Sequence, residues 1–363
     1  MHISSISLSH FRNISETTLN FSPKMNIFTG KNGQGKTNLL EAIYALSLSR
    51  PFRSREKSVF IQEEAEYSKI TGEIILENTE KEILEIFWEQ GTGKSGRTIF
   101  RKNGVQKSAG EFLKTKHFFT VLFAPEDMEL PFASPKYRRQ YFSRILSPLF
   151  PDFLSASLNF EKILKHRNKL LIDFPKGKVQ KMEFAFWDAE LEKWAKVLHT
   201  YRQKYAEFLQ RNLQKKYREL FHKNDALDIF YLPSVPHDAD FFETLEKNFH
   251  QDVHLGSTQK GPHRDDFQII FHGKPIAEVG SRGEIRSTII ALKLCEQDFI
   301  TEETSFSPVL LLDDVFSELD EDRRKVILHA FSNTQIFVTA TEMPKMRRKM
   351  EVFEVKRGIF KKH

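Results

Sequence analysis

The chain has 363 residues, of which 40% are hydrophobic and 29% charged, with a formal net charge of +6 and one cysteine. That length allows a large core in one or two domains, while the lone Cys295 excludes an internal disulfide and a thiol-based zinc cluster. The opening MHISSISLSHFRN lacks the charged start and apolar stretch of a secretory signal, and no apolar run approaches ~18 residues, so a soluble, cytoplasmic protein without a membrane partner is expected.

In chain order, short alternating or apolar runs predict strands at Ile3 to Leu8, Thr18 to Phe21 and Asn26 to Thr29. A glycine-rich segment follows, then a helix from Lys36 to Leu48 that ends before Pro51, and strand patterning resumes at Ile70 to Leu76 and Leu84 to Trp88. From Phe153 the period becomes helical. Phe153, Ser157, Phe160, Leu164 and Leu171 share a face, and Pro175 and Gly177 mark a turn. In the next helix Phe184, Trp187, Leu191, Trp194, Leu198, Tyr201, Tyr205 and Phe208 alternate spacings of three and four, which suits a short coiled coil or a core helix of a bundle. If helical to about Phe221, this arm is roughly 55 to 60 Å long.

Beyond Pro233 and Pro236, short apolar runs return at Phe267 to Phe271, Val309 to Leu312 and Ile336 to Thr339, the kind that suits buried parallel strands. Helices at Glu284 to Asp298 and Glu321 to Phe331 lie between them. The predicted fold class is therefore α/β, with a discontinuous head, 1–130 plus 255–363, and a mainly helical insertion, 131–254.

Basic charge is uneven. Between Lys136 and Lys181 eleven Lys or Arg face three acidic residues, and a second cluster comprises Lys345, Arg347, Arg348, Lys349, Lys356, Arg357, Lys361 and Lys362. Such clusters are either solvated faces or the footprint of an anionic partner.

Three segments carry chemistry. Gly30-Lys31-Asn32-Gly33-Gln34-Gly35-Lys36-Thr37 sits between a strand and a helix, where a phosphate-binding loop belongs. Its glycines allow close backbone wrapping, the helix N-terminus favours anions, Lys36 brings a mobile charge, and Thr37 offers its hydroxyl to Mg²⁺. Val309-Leu310-Leu311-Leu312-Asp313-Asp314 reads as a buried strand delivering a carboxylate: Asp313 as the metal-side group and Asp314 to orient or deprotonate water. A core strand ending in a helix N-cap is the simpler alternative. Ser281-Arg282-Gly283-Glu284 opens a helix as a capping box, and its serine, glycine and free N–H groups also form a second anion site.

Together with Phe11-Arg12-Asn13 and Ser317-Glu318-Leu319-Asp320, these segments resemble the ABC ATPase heads of the SMC group and, within it, the RecF family. The likeness extends to Asn38-Leu39-Leu40-Glu41-Ala42-Ile43-Tyr44, Phe123-Ala124-Pro125-Glu126-Asp127, His166-Arg167-Asn168 and Gly261-Pro262-His263-Arg264-Asp265-Asp266. It implies an ABC-type P-loop ATPase head with an inserted helical, short coiled-coil-like lobe. It also implies ATP and Mg²⁺ as cofactors and a homodimer in which ATP at Lys36 of one protomer is closed over by Ser281 of the other. By the same resemblance Arg12 and Asn13 reach the nucleotide, Asp320 lies at the dimer seam, hydrolysis releases the dimer, and RecO and RecR are partners in placing RecA at DNA gaps.

The chain departs from the wider pattern at Asp314, where ABC heads usually carry Glu, which argues for slow hydrolysis. It departs also at Val338-Thr339-Ala340-Thr341, where a hydroxyl stands in for a histidine, and at Glu284, where Gln is expected. A transporter-type motor is disfavoured by the long stretch between Thr37 and Ser281, and an ATPase-gated nuclease by the lack of room for an acidic catalytic domain. His250 and His254 with Asp252 read as loop residues or a metal site, and His263 with Asp265 and Asp266 as a structural or interface cluster or a metal nuclease.

Overall fold

The computed structural model describes residues 1–49, 52, 57–91, 96–236, 239–331, 333–342 and 350–363. Pro51 and the basic residues Lys345, Arg347, Arg348 and Lys349 lie outside the described residues, as does the side chain of Glu318. The chain divides into two compact units, Met1–Met128 with Arg286–His363, and Glu129–Ile285.

The first unit begins with β1 (His2–Phe11), β2 (Ile14–Asn20), β3 (Met25–Thr29), α1 (Lys36–Leu48), β4 (Tyr67–Ile75), β5 (Lys81–Glu89), β6 (Arg97–Lys102), β7 (Val105–Lys107), α2 (Ala109–Thr115) and β8 (Thr120–Phe123). The second unit holds α3 (Pro135–Leu149), α4 (Pro151–Asp173), α5 (Phe184–Phe221), β9 (Leu227–Leu232), α6 (Phe241–Lys247), α7 (Phe249–Leu255), β10 (Asp266–Phe271), β11 (Lys274–Pro275) and α8 (Ile276–Val279). Helix α9 (Arg282–Thr304) leads back into the first unit, completed by β12 (Val309–Asp313), α10 (Val315–Glu318), α11 (Glu321–Ala330), β13 (Ile336–Ala340), β14 (Glu351–Lys356) and β15 (Ile359–Lys362).

Two sheets build the first unit. One is antiparallel, in the order β2-β1-β4-β5-β6-β7, and alternates buried and half-exposed residues along β4 and β5, as a sheet with one covered face must. The other runs β15-β14-β3-β13-β12-β8 and is parallel except for β15. Its central strands are apolar and buried on both faces: every residue of β12 and of β13 is buried. Helix α1 packs against strands of both sheets and accordingly buries residues all round its axis, from Leu39 and Leu40 to Tyr44 and Leu48.

In the second unit the expected arm is present over the predicted span, Phe184–Phe221, with α4 packed along it. Leu191, Leu198, Tyr205, Phe208, Leu209 and Leu213 bury the shared face, and Phe186 on the other side stays 64% exposed. The run Phe267 to Phe271 departs from expectation: it is not a parallel strand but lies antiparallel between β9 and β11. That pairing, together with the burial of Asp265, draws residues 255–285 into the helical unit, whereas the sequence alone groups them with the head.

The second unit is also held by buried charge. Arg167 is wholly inaccessible, and its guanidinium donates to Asp188 at 2.6 Å, to Asp252 at 2.7 Å and to Thr258 at 2.8 Å. Arg202 donates to Asp265 and to the Pro262 carbonyl, each at 2.7 Å, and the backbone N–H of Ser234 meets the second carboxylate oxygen at 2.8 Å. Burial pushes Asp265 up, but His199, Arg202 and Tyr231 around it more than reverse this, to about 2.

Candidate nucleotide-binding site

The strand β3 stops at Thr29, and the next six residues form a loop whose backbone favours glycine at three places. Gly30, Gly33 and Gly35 have φ of 147°, 76° and 112°. A Cβ on Gly30 would collide with the backbone of Val355, and one on Gly35 would come 2.9 Å from the Asn13 side-chain oxygen. Lys31 and Asn32 are exposed at the tip, Gln34 is half-buried, and Lys36 opens α1.

Lys36 is 6% exposed and folds back over the loop, donating to the carbonyls of Gly30 and Lys31, the latter at 2.9 Å. Burial pushes its ammonium below the usual lysine range, while the charges of Asp314 and Asp313 pull it back up. The loop thus places a cation and a fan of glycine-rich backbone at one helix N-terminus, the chemistry of a polyphosphate cradle.

The neighbouring strand supplies the acid. Thr37 donates to Asp313 at 2.8 Å, and so does Thr339 at the end of the adjacent strand β13, also at 2.8 Å. The Thr339 hydroxyl in turn accepts the backbone N–H of Asp314 at 2.9 Å, so one buried hydroxyl fixes both the carboxylate and the turn that follows it. Asp314 itself is held at φ 52°, a left-handed conformation that a non-glycine residue adopts at a cost. It caps α10 through backbone position only, with no side-chain cap bond. The sequence suggests that a hydroxyl of Val338-Thr339-Ala340-Thr341 stands in for the histidine of the wider pattern. Thr339 is instead committed inward to Asp313, and Thr341 is the exposed hydroxyl.

Asn13 and Arg12 adjoin the loop in different ways. Asn13 accepts from Asn38 at 2.6 Å and lies against Gly35. Arg12, with φ 53°, pairs with the fully buried Glu41 of α1, Nη2 donating at 2.8 Å, and sits 5.5 Å from the Phe60 ring centroid. Arg12 therefore braces α1. In the first unit Asp320 caps α11 by accepting the Arg323 N–H at 2.9 Å, and its carboxyl is held low, first by that bond.

Ser281 and Gly283 belong to the second unit. There the capping box forms: Glu284 accepts the Ser281 N–H at 2.8 Å, and Ser281 Oγ accepts the Glu284 N–H at 3.3 Å. The backbone bond from Ser281, first among its causes, holds the Glu284 carboxyl below the usual range, so an anion already sits over these helical donors.

Other sequence candidates resolve as structural. Asp252 is buried against Arg167, and residues 250–254 are helical, not loop. His263 donates from Nε2 to the Thr258 carbonyl at 2.8 Å, and burial lowers its pKa to about 4. Among the described residues no group of His, Cys, Asp or Glu is arranged to hold a metal on its own. Arg138 forms a two-point pair with Asp266 at 2.8 and 2.7 Å, and Arg139 donates to the Asp265 carbonyl at 2.6 Å, so part of the basic segment is internal cement. Its exposed share is carried by lysines, among them Lys136, Lys162, Lys165, Lys169, Lys178 and Lys181.

A glycine loop feeding a helix between β3 and α1, with an acid strand two positions away across a parallel sheet, defines an ABC-type P-loop head. The solved Smc head domain of Pyrococcus furiosus, with an extended coiled coil and bound to the ScpA C-terminal domain, shares this fold at a TM-score of 0.56 and 17% identity, covering 100% of this chain and 96% of that one. The family model described as the RecF/RecN/SMC N terminal domain matches residues 2–361. The chain belongs to this family and, within it, to the RecF group of DNA replication and repair proteins. It is 36% identical to RecF of Thermoanaerobacter sp. (strain X514) over 94% of each chain, and 33% identical to RecF of Leptospira interrogans over 99% of this chain and 98% of that one. A solved RecF–ATP, a recombination mediator of the RecFOR pathway, superposes with a TM-score of 0.90 at 32% identity, covering 100% of this chain and 97% of that one.

Proposed function

We propose that this protein is an ATP-controlled DNA clamp of recombinational repair: ATP joins two copies, the joined form holds DNA at gaps or single-strand/duplex junctions, and slow hydrolysis releases it. The reading rests above all on one observation, the convergence of Lys36, Thr37, Asp313 and Thr339 around a loop that only its glycines allow. Those residues suit ATP with Mg²⁺. Gly30, Lys31, Asn32, Gly33, Gln34 and Gly35 would wrap the phosphates, Lys36 would neutralise them, Thr37 and Asp313 would hold the metal, and Asn13, with Arg12 after release from Glu41, would meet the nucleoside. Bound Mg-ATP supplies a γ-phosphoryl group that distinguishes the pre- and post-hydrolysis states.

Asp314 is the residue for positioning water. Its short side chain and strained backbone favour a slow cycle, in keeping with a switch and not with a motor. Ser281 and Gly283 of a second copy would close the site, since an isolated P-loop offers phosphate donors on one side only. The relative bound to ATP and the RecFOR pathway to which it belongs favour RecO and RecR as partners, with RecA loaded downstream, and the cytoplasm as the place of action. Among the described residues no helix is long and apolar enough to cross a membrane.

For DNA the exposed lysines of the helical unit are the candidate surface. Exchange of Lys162, Lys169 and Lys178 for Glu is expected to lower affinity for gapped duplex similarly across sequences and to flatten the dependence of log K on log salt by about 0.9 for each phosphate that is no longer neutralised. An unchanged salt slope would place the DNA surface elsewhere. Lys36→Ala should abolish ATP dependence of the same binding. Retention of that dependence would refute the role of the loop.

A further inference from the structure

The phosphate loop is not held by its own helix alone. The C-terminal hairpin β14–β15 turns through Arg357 and Gly358, with Lys356 paired to Ile359, and the turn lies on the loop. Gly358 N–H donates to the Gln34 carbonyl at 2.8 Å, and Arg357 N–H donates to the Gln34 side-chain oxygen at 2.9 Å. One glutamine of the loop is thereby gripped at its backbone and its side chain by two consecutive amides more than three hundred residues away in sequence.

Three further features bind the same elements. A Cβ at Gly358 would collide with the Asn13 carbonyl, so the turn also touches the residue beside Gly35. Gly30, at the other end of the loop, abuts the Val355 backbone, and Thr29 donates to the Phe353 carbonyl at 3.4 Å. Both turn residues are left-handed, with φ of 50° and 76°. That geometry matches a two-residue hairpin turn, for which Asn-Gly is the favoured pair; Arg at the first position accepts backbone strain.

We propose that the Arg357–Gly358 turn is a positioning element of the nucleotide site: through Gln34 it sets the open shape of the phosphate loop, and nucleotide binding and hairpin docking stabilise each other. This rests on the reading of the loop as an ATP site. Gln34 acts here as a coupler and not as a catalytic residue, because its side-chain oxygen is spent on the hairpin. Since linkage is reciprocal, whatever factor the docked turn adds to nucleotide affinity, bound nucleotide adds to the docking of the turn.

The test uses the full chain and Mg-ATP. Titration calorimetry of Gln34→Leu, which keeps the bulk and removes the acceptor, should show affinity about two- to tenfold weaker, the worth of one hydrogen bond. Gly358→Ala, which drives the turn off Asn13, should show a similar loss. Hydrogen exchange separates positioning from mere stability: in the native chain Mg-ATP should slow exchange of the Arg357 and Gly358 amides severalfold, and in Gln34→Leu the slowing should largely disappear. Native affinity in both variants, or turn amides whose exchange ignores nucleotide, overturns the coupling while leaving the ATP site intact. No Mg-ATP binding by the native chain overturns the ATP-site reading, and the coupling with it.

Discussion

Thr339→Val replaces a hydroxyl by a methyl of nearly the same shape and strikes the acid strand without touching a candidate ligand. In the native chain that hydroxyl donates to Asp313 at 2.8 Å and accepts from the Asp314 amide at 2.9 Å, with no solvent access to take its place. The charge-assisted bond is worth about 1.5–3 kcal/mol, and a buried amide left without an acceptor costs about 1–3 kcal/mol more, so a loss of roughly 3 to 5 kcal/mol is expected. Thr339→Ser retains both bonds and gives up one methyl, about 1 kcal/mol. Urea denaturation of the nucleotide-free protein compares the two. If Val is no more damaging than Ser, Thr339 does not fix Asp313, and the proposed metal side of the site loses its support. Because Asp313 would also turn more freely, the Val variant should lose most of the gain in ATP affinity that Mg²⁺ provides.

Two other perturbations probe the second unit. Arg167→Leu strands the carboxylates of Asp188 and Asp252 in the interior and should cost about 3–5 kcal/mol in urea denaturation, whereas replacing all three groups by apolar residues should recover much of it. His263, lowered by burial to about 4, is neutral in the folded chain while the unfolded chain takes up a proton near 6.5. Its contribution is therefore complete above pH 6.5 and is lost as pH falls toward 4, roughly 3 kcal/mol in all, and His263→Gln should flatten stability across that window. Asp265, held to about 2, makes its own contribution to the pH dependence below this range.

What the sequence revealed, and what it withheld, follows from range of interaction. The glycine loop, α1 over Lys36 to Leu48 and the arm ending at Phe221 are local patterns, and their predicted spans match the structure. The apolar runs that open β12 and β13 likewise announced a two-sided environment. Phe267 to Phe271 carries the same apolar signal, yet antiparallel pairing with β9 was not legible because register with a distant strand leaves no trace in a short run. Net charge misled in a similar way. Arg138, Arg139 and Arg167 count as basic in the sequence, but their partners Asp265, Asp266, Asp188 and Asp252 lie far along the chain. The grip of Arg357 and Gly358 on Gln34 was hidden for the same reason, although two glycine-compatible positions in a short hairpin offered a weak hint.

Nucleotide-dependent pairing of two copies is read out by sedimentation velocity with Mg-ATP and with Mg-ADP, for the native chain and for Ser281→Arg. A dimer is expected with Mg-ATP only, absent in the variant because a long cation displaces the exposed serine from a site it would share with Lys36 of the other copy. A native chain that stays monomeric at saturating Mg-ATP, or a variant that dimerises as well as the native chain, would contradict it.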